Sequence, residues 1–213
     1  TQSGTDAVLG NASDAFLKQD GTNNQALIEQ ARGYTGTGSG ITVDARQNGD
    51  RNTVTVNQSG RNQLIDIDQA GERNNADVTQ QTRHHLTDID QDGTSNRADV
   101  EQSFVCSGTV GGPQSPTATI ARVLQDGTSN QADVFQSSSS NARVDVLQYG
   151  DRNNATVDQF NGTSIDPNHQ AYVRQDGTTN FAYVDQSAGV VAAQNDADVR
   201  QVGTSNVARL DQD

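Results

Sequence analysis

His84, His85 and Asp88 lie close together in the sequence, a set of residue types that could hold a metal ion or act as a general base. Cys106 is the single cysteine. It has no histidine at a fixed spacing to activate it as a nucleophile, and with no second cysteine it cannot form an internal disulfide. The glycine-rich stretch GYTGTGSG, residues 33–40, has neither the lysine nor the strand-to-helix setting of a phosphate-binding loop and reads as a bulge. Acidic residues are plentiful, among them Asp77, Asp99, Glu101, Asp133, Asp158, Asp185 and Asp211. A calcium-binding repeat would need its acidic ligands in every turn. Asp20, Asp92, Asp126 and Asp176 each precede a glycine, but Asn48, Ala70, Tyr149 and Val202 take the same place in other copies. The acidic residues therefore read as a solvated face that slows premature aggregation, with cation binding as the sharper alternative. The expectation is no catalytic site, no metal site and no cofactor.

The elements that would have to position such residues are unusual. Of the 213 residues 31% are hydrophobic and 4% aromatic, with no Trp or Met, so a conventional core is not expected. The net charge of -13 and a pI near 4.4 argue against nucleic acid or an anionic membrane as partner. No segment approaches the roughly 20 apolar residues of a membrane span, so no membrane insertion is expected. Nor does any segment have the layout of a signal peptide, and Thr1 reads as a mature or trimmed start. Such a composition alone would suggest disorder, yet the residues keep phase.

Residues 69–80 read QAGERNNADVTQ, and residues 91–102 read QDGTSNRADVEQ. The frame Q-x-G-x-x-N-x-A-x-V-x-Q can be laid down eight times. Its glycines are Gly21, Gly49, Gly71, Gly93, Gly127, Gly150, Gly177 and Gly203. Its asparagines are Asn24, Asn52, Asn74, Asn96, Asn130, Asn153, Asn180 and Asn206. It opens on Gln19, Gln47, Gln69, Gln91, Gln125, Gln148, Gln175 and Gln201, and closes on Gln30, Gln58, Gln80, Gln102, Gln136, Gln159, Gln186 and Gln212. A looser apolar pair precedes each opening glutamine, as in Ile65, Ile67, Gln69.

Recurrence at every second residue means strand, because successive side chains of a strand point to opposite faces. Asn, Ala, Val and Gln share the buried face, and the four residues after the opening Gln fit a tight turn with glycine at positive φ. Each unit is strand, turn, strand, turn. Opening glutamines 22 residues apart at Gln47, Gln69 and Gln91 allow each strand to stack on its counterpart one rung away. The expected fold is all-β: a β-solenoid of about eight two-strand rungs with cross-β stacking. Residues 1–12 form a separate N-terminal segment, a partial strand or flexible, and 13–213 the solenoid. The surplus length in longer copies always follows the closing strand, so insertions near 31–40, 103–117, 160–168 and 187–194 bulge from one edge. On this reading His85 and His169 share an inward column three rungs apart, about 14 Å, too far to share an ion.

Stacked at roughly 4.8 Å, identical amides can form ladders in which each Asn or Gln donates to one neighbour and accepts from the other. An amide buried without partners would cost about 1–3 kcal/mol. The ladder explains why the same amides recur, and Ala and Val fill the thin space between the sheets.

The eight phased copies of Q-x-G-x-x-N-x-A-x-x-x-Q resemble the curlin repeat of bacterial curli amyloid subunits, over essentially residues 13–212. The one-edge insertions are longer than the compact family pattern. The resemblance implies a secreted subunit, major-subunit-like, that polymerises into extracellular, cell-surface fibres of the biofilm matrix of a Gram-negative-type bacterium. Its implied partners are itself, a surface nucleator, periplasmic chaperones and an outer-membrane secretion channel.

Polymerisation is also expected from the strands alone, since the last strand runs through Asn206, Ala208, Leu210 and Gln212 and a rung without a cap exposes unpaired backbone groups. An ice-binding face would need Thr-x-Thr on many rungs, and only Thr53 and Thr55 supply it in the closing strand. A polysaccharide groove would need aromatic platforms that four Tyr and five Phe, scattered, do not provide. A fibre-borne adhesin or nucleator whose inserted loops contact a surface or ligand is the alternative to a bulk fibre subunit. Neither role is enzymatic.

Overall fold

The structure, a computed structural model, describes residues 13–31, 40–103, 119–137, 142–161, 169–188 and 195–212. Eight opening strands form one sheet: β1 (Ser13–Thr22), β3 (Ile41–Asp50), β5 (Gln63–Glu72), β7 (His85–Thr94), β9 (Thr119–Thr128), β11 (Arg143–Asp151), β13 (Gln170–Thr178) and β15 (Asp196–Thr204). Eight closing strands form the other: β2 (Gln25–Ala31), β4 (Thr53–Arg61), β6 (Asn75–Arg83), β8 (Arg97–Ser103), β10 (Gln131–Ser137), β12 (Asn154–Asn161), β14 (Phe181–Ala188) and β16 (Val207–Gln212). Each strand pairs in parallel with its counterpart in the next copy of the repeat. The described residues thus form a β-solenoid of eight two-strand rungs.

The register equals the sequence frame. Val78 stands opposite Val100, Gln80 opposite Gln102 and Gly71 opposite Gly93. Shifting any strand by one residue would turn its Ala and Val outward, so the period-two pattern locks the pairing. The core is a narrow double column. Ala45, Ile67, Ile89, Val123, Val146 and Val173 line one sheet, and Val56, Val78, Val100, Val134, Val157 and Val184 face them, all almost fully buried. Small β-branched residues suit this gap because they pack closely on a pleated surface.

The four-residue turn is shorter than expected. Backbone pairing of the opening strands runs on through the glycine column to Thr22, Glu72 and their counterparts, so two residues make the bend. The reason is that stacked copies bend at the same place, and their backbones stay in bonding distance around the corner. The second conformational switch is not a glycine. Asn23, Arg51, Arg73, Ser95, Ser129, Arg152, Thr179 and Ser205 all have φ between 54 and 59°, in the left-handed region.

At this edge every connection is two residues long. At the opposite edge a single residue, Asn62 or His84, suffices between β4 and β5 and between β6 and β7. The insertions expected near 31–40, 103–117, 160–168 and 187–194, the N-terminal segment 1–12 and Cys106 lie wholly or mostly outside the described residues.

Candidate functional site

The most regular chemical feature of the molecule is its pair of glutamine columns. On the first sheet Gln19 Nε2 donates to Gln47 Oε1 at 2.6 Å, Gln47 to Gln69 at 2.9 Å and Gln69 to Gln91 at 2.7 Å. The column continues through Gln125, Gln148 and Gln175 to Gln201. On the second sheet the same contact links Gln30, Gln58, Gln80, Gln102, Gln136, Gln159, Gln186 and Gln212, at 2.8 to 3.0 Å. Most of these side chains are fully buried.

Each column also ties the two sheets together. The second N–H of Gln69 donates across the core to Thr53 O at 3.1 Å, and that of Gln136 to Ile120 O at 3.2 Å. Gln91 reaches Asn75 O and Gln159 reaches Arg143 O in the same way. Both amide hydrogens are therefore used, one along the fibre-like axis and one between sheets. No residue pattern announces the second bond, because its acceptor is a backbone carbonyl.

The asparagines behave differently from the expected amide-to-amide chain. Asn74 Oδ1 accepts the backbone N–H of Asn96 at 3.0 Å, while Asn74 Nδ2 donates to Gly93 O at 3.2 Å and back to Ala70 O at 2.8 Å. Asn52, Asn96, Asn130 and Asn153 repeat the contacts to the next rung. Direct amide contacts join only Asn180 to Asn153 and Asn206 to Asn180 among the described residues. The asparagine side chain is one methylene shorter than glutamine, so its amide stays against the bend. There it meets the peptide groups that the strand break leaves without a ladder partner.

The glycines stack beside these staples. At Gly71 φ is 106°, and a Cβ would lie 2.0 Å from the Gly93 carbonyl oxygen. Both the backbone conformation and the closeness of the neighbouring rung require glycine here.

Both glutamine columns point the same way along the solenoid, with donors toward the C-terminal rung and acceptors toward the N-terminal one. At the N-terminal end Gln30 Oε1 is buried and has no hydrogen-bond partner among the described residues. At the other end Gln201 and Gln212 keep their cross-sheet bonds to Phe181 O and Asp196 O. No further glutamine among the described residues receives their second N–H.

The candidate chemical groups are dispersed. His85 points inward, its Nε2 2.7 Å from Gln81 O, whereas Asp88 points outward, so the two cannot act together. Burial pulls the His85 pKa down to about 4. His169 is also buried and lowered by desolvation, in the column of His85 with Thr119 and Ala142 between them. His84 stands at the bend beside Asn62. The outward carboxylates stack by sign: Asp77, Asp99 and Asp133 are direct neighbours. Partial burial, then the neighbouring Asp99, holds the Asp77 carboxyl above its ordinary value. Asp66, Asp90 and Asp158 are raised in the same sense, with desolvation the largest cause.

Parallel in-register stacking, buried amide columns and a bend of Gly and Asn define the class as a parallel β-solenoid built of amyloid-like rungs. The curlin associated repeat family model matches three times, over residues 10–44, 38–71 and 71–103, so this part of the chain is built of curlin repeats. The later rungs keep the same frame and register. No curated protein and no solved structure matches the chain. Repeat and fold together mark a curlin-like structural amyloid subunit.

Proposed function

We propose that this protein is a structural subunit of a secreted, curli-like functional amyloid fibre of the biofilm matrix, in which copies stack head to tail. The observation that carries the reading is the polarity of the amide columns. Among the described residues, Gln30 Oε1 is a buried acceptor without a donor at the first rung, and Gln212 Nε2 bonds only Asp196 O at the last. A second copy stacked in register brings the two together, and sets Gln201 against Gln19 in the same way. Leaving such an acceptor buried and unpaired costs about 1–3 kcal/mol, which stacking recovers.

The apolar columns support the same register. Val199 meets Leu17, Ala208 meets Ala26 and Leu210 meets Ile28, so the core runs on from chain to chain. Leu17, at 47% exposure, is the most open side chain of these columns before stacking. The junction joins unlike ends, so it does not close and propagates as a fibre. Passage through an outer-membrane channel with periplasmic chaperones, and a start from a surface nucleator, complete the proposal on the strength of the curlin repeat.

The test is assembly of purified protein. Expected are unbranched fibres in negative stain, a meridional reflection near 4.8 Å and acceleration by preformed seeds. Monodisperse particles that ignore seeds and lack the reflection would refute the reading.

A further inference from the structure

We propose that elongation is gated by ionic strength through an acidic column that becomes complete only where two copies meet, an inference that rests on the head-to-tail reading above. On the outward face of the second sheet Asp158, Asp185 and Asp211 are direct neighbours on β12, β14 and β16. The same column begins on β2 with Glu29, opposite Asn57. Continuing the register across the junction places Glu29 of the next copy against Asp211. Four carboxylates then follow one another at about 4.8 Å.

Within one chain, no described column carries more than three like charges in succession. The run Asp44, Asp66, Asp88 is relieved by Arg46, 3.8 Å from Asp66, and by Arg122, 3.8 Å from Asp88. The junction column has less relief from cations, although the neutral Tyr183 hydroxyl lies 3.3 Å from both Asp158 and Asp185. Arg209 stands 4.0 Å from Asp211 and spends its guanidinium over the Tyr183 ring, 5.3 Å from the centroid. Glu29 makes no ion pair among the described residues. A second like pair, Asp196 against Asp14, adds to the repulsion. The cations Arg200 and Lys18 also meet there, but Asp198 and Asp20 on their own strands, each at 3.0 Å, compensate them.

Exposed charges one rung apart repel, and the repulsion extends over a Debye length of about 30 Å at 0.01 M salt and about 8 Å at 0.15 M. A docking copy meets the acidic column before it meets the short-range amide and apolar contacts. Salt therefore acts chiefly on the rate of addition.

The experiment measures monomer addition to preformed seeds in sodium chloride, read as loss of protein from the supernatant. Wild-type protein is expected to elongate about tenfold faster at about 0.15 M than at about 0.01 M salt. Glu29→Lys is expected to elongate near the high-salt rate at both, with Glu29→Gln between. Glu101→Lys makes the same charge change in the same column, between Thr79 and Phe135, and is expected to keep the wild-type salt response. If Glu101→Lys flattens that response as much as Glu29→Lys, net charge governs and the gate is overturned. Salt-independent wild-type growth overturns the gate as well, and in both cases the fibre reading stands. Absence of fibres at every salt concentration defeats both proposals.

Discussion

Gln102 Oε1 accepts two hydrogen bonds, from Gln80 Nε2 on the preceding rung at 2.8 Å and from Thr87 Oγ1 on the facing sheet at 2.9 Å. Thr87 is the one polar residue among the inward positions otherwise filled by Ala, Val, Ile and Leu17 within the first sheet's core columns, and it receives Gln80 Nε2 at 3.0 Å. Replacing Gln102 by Leu keeps the volume but takes the acceptor from the Thr87 hydroxyl and the donor from Gln136 Oε1, and removes one of the bonds of Gln80 Nε2. The expected loss is about 2–4 kcal/mol, read from the urea midpoint. Thr87→Val, which leaves Gln80 its bonds to Gln102 and Leu64 O, should fall within about 1 kcal/mol of wild type.

The asparagine staple separates backbone from side-chain laddering. Asn96→Ala removes the acceptor of the Asn130 N–H and the donor to Gly127 O, both at the bend. A cost of about 2–4 kcal/mol is expected, with faster amide hydrogen exchange concentrated at Asn130. If the glutamine columns alone held the rungs, exchange at Asn130 would be unchanged.

Two glycines in one column should respond differently. A Cβ on Gly93 would lie 2.1 Å from Gly127 O, so Gly93→Ala should prevent proper stacking within the chain, at a cost of about 3 kcal/mol or more. At Gly203 the nearest atom is Asn206 Nδ2 at 3.7 Å, so Gly203→Ala carries mainly the strain of φ at 108°, about 1–2 kcal/mol. In the fibre proposed above, however, that Cβ would point at Gly21 O of the next copy, as a Cβ on Gly177 points at Gly203 O. Gly203→Ala is expected to give a folded monomer, by circular dichroism, that fails to extend seeds.

Acid should act through His85. Its folded-state pKa lies below the unfolded value, so the unfolded chain takes up the proton first and stability falls as pH drops from about 6.5 toward 4. The full loss is up to about 3 kcal/mol. His169 contributes in the same direction. Asp66, Asp77, Asp90 and Asp158 oppose it, because their raised pKa values make the folded state the stronger proton acceptor as pH falls toward the carboxylate range. His85→Gln, which places the residue of Gln63 one rung on in the same column, should gain stability relative to wild type between pH 6.5 and 4. Identical pH profiles of the two would contradict this account.

The two sheets, the parallel register and the Ala and Val core columns were all legible in the residues themselves. Val78 and Val100 are 22 positions apart in matching frames, and alternation decides which face they take. That information is local and additive: backbone geometry is the same for every residue type, so periodicity maps directly onto faces and neighbours. What an amide bonds to is not of this kind. Gln69 reaches both Gln91 and the Thr53 carbonyl across the core, whereas Asn74 turns to the peptide groups of the next bend. The left-handed residues such as Arg73 and Ser95 were equally hidden, since neither type prefers that conformation. These choices depend on side-chain length measured against distances between rungs and sheets, and such distances exist only once the chain has closed its coil.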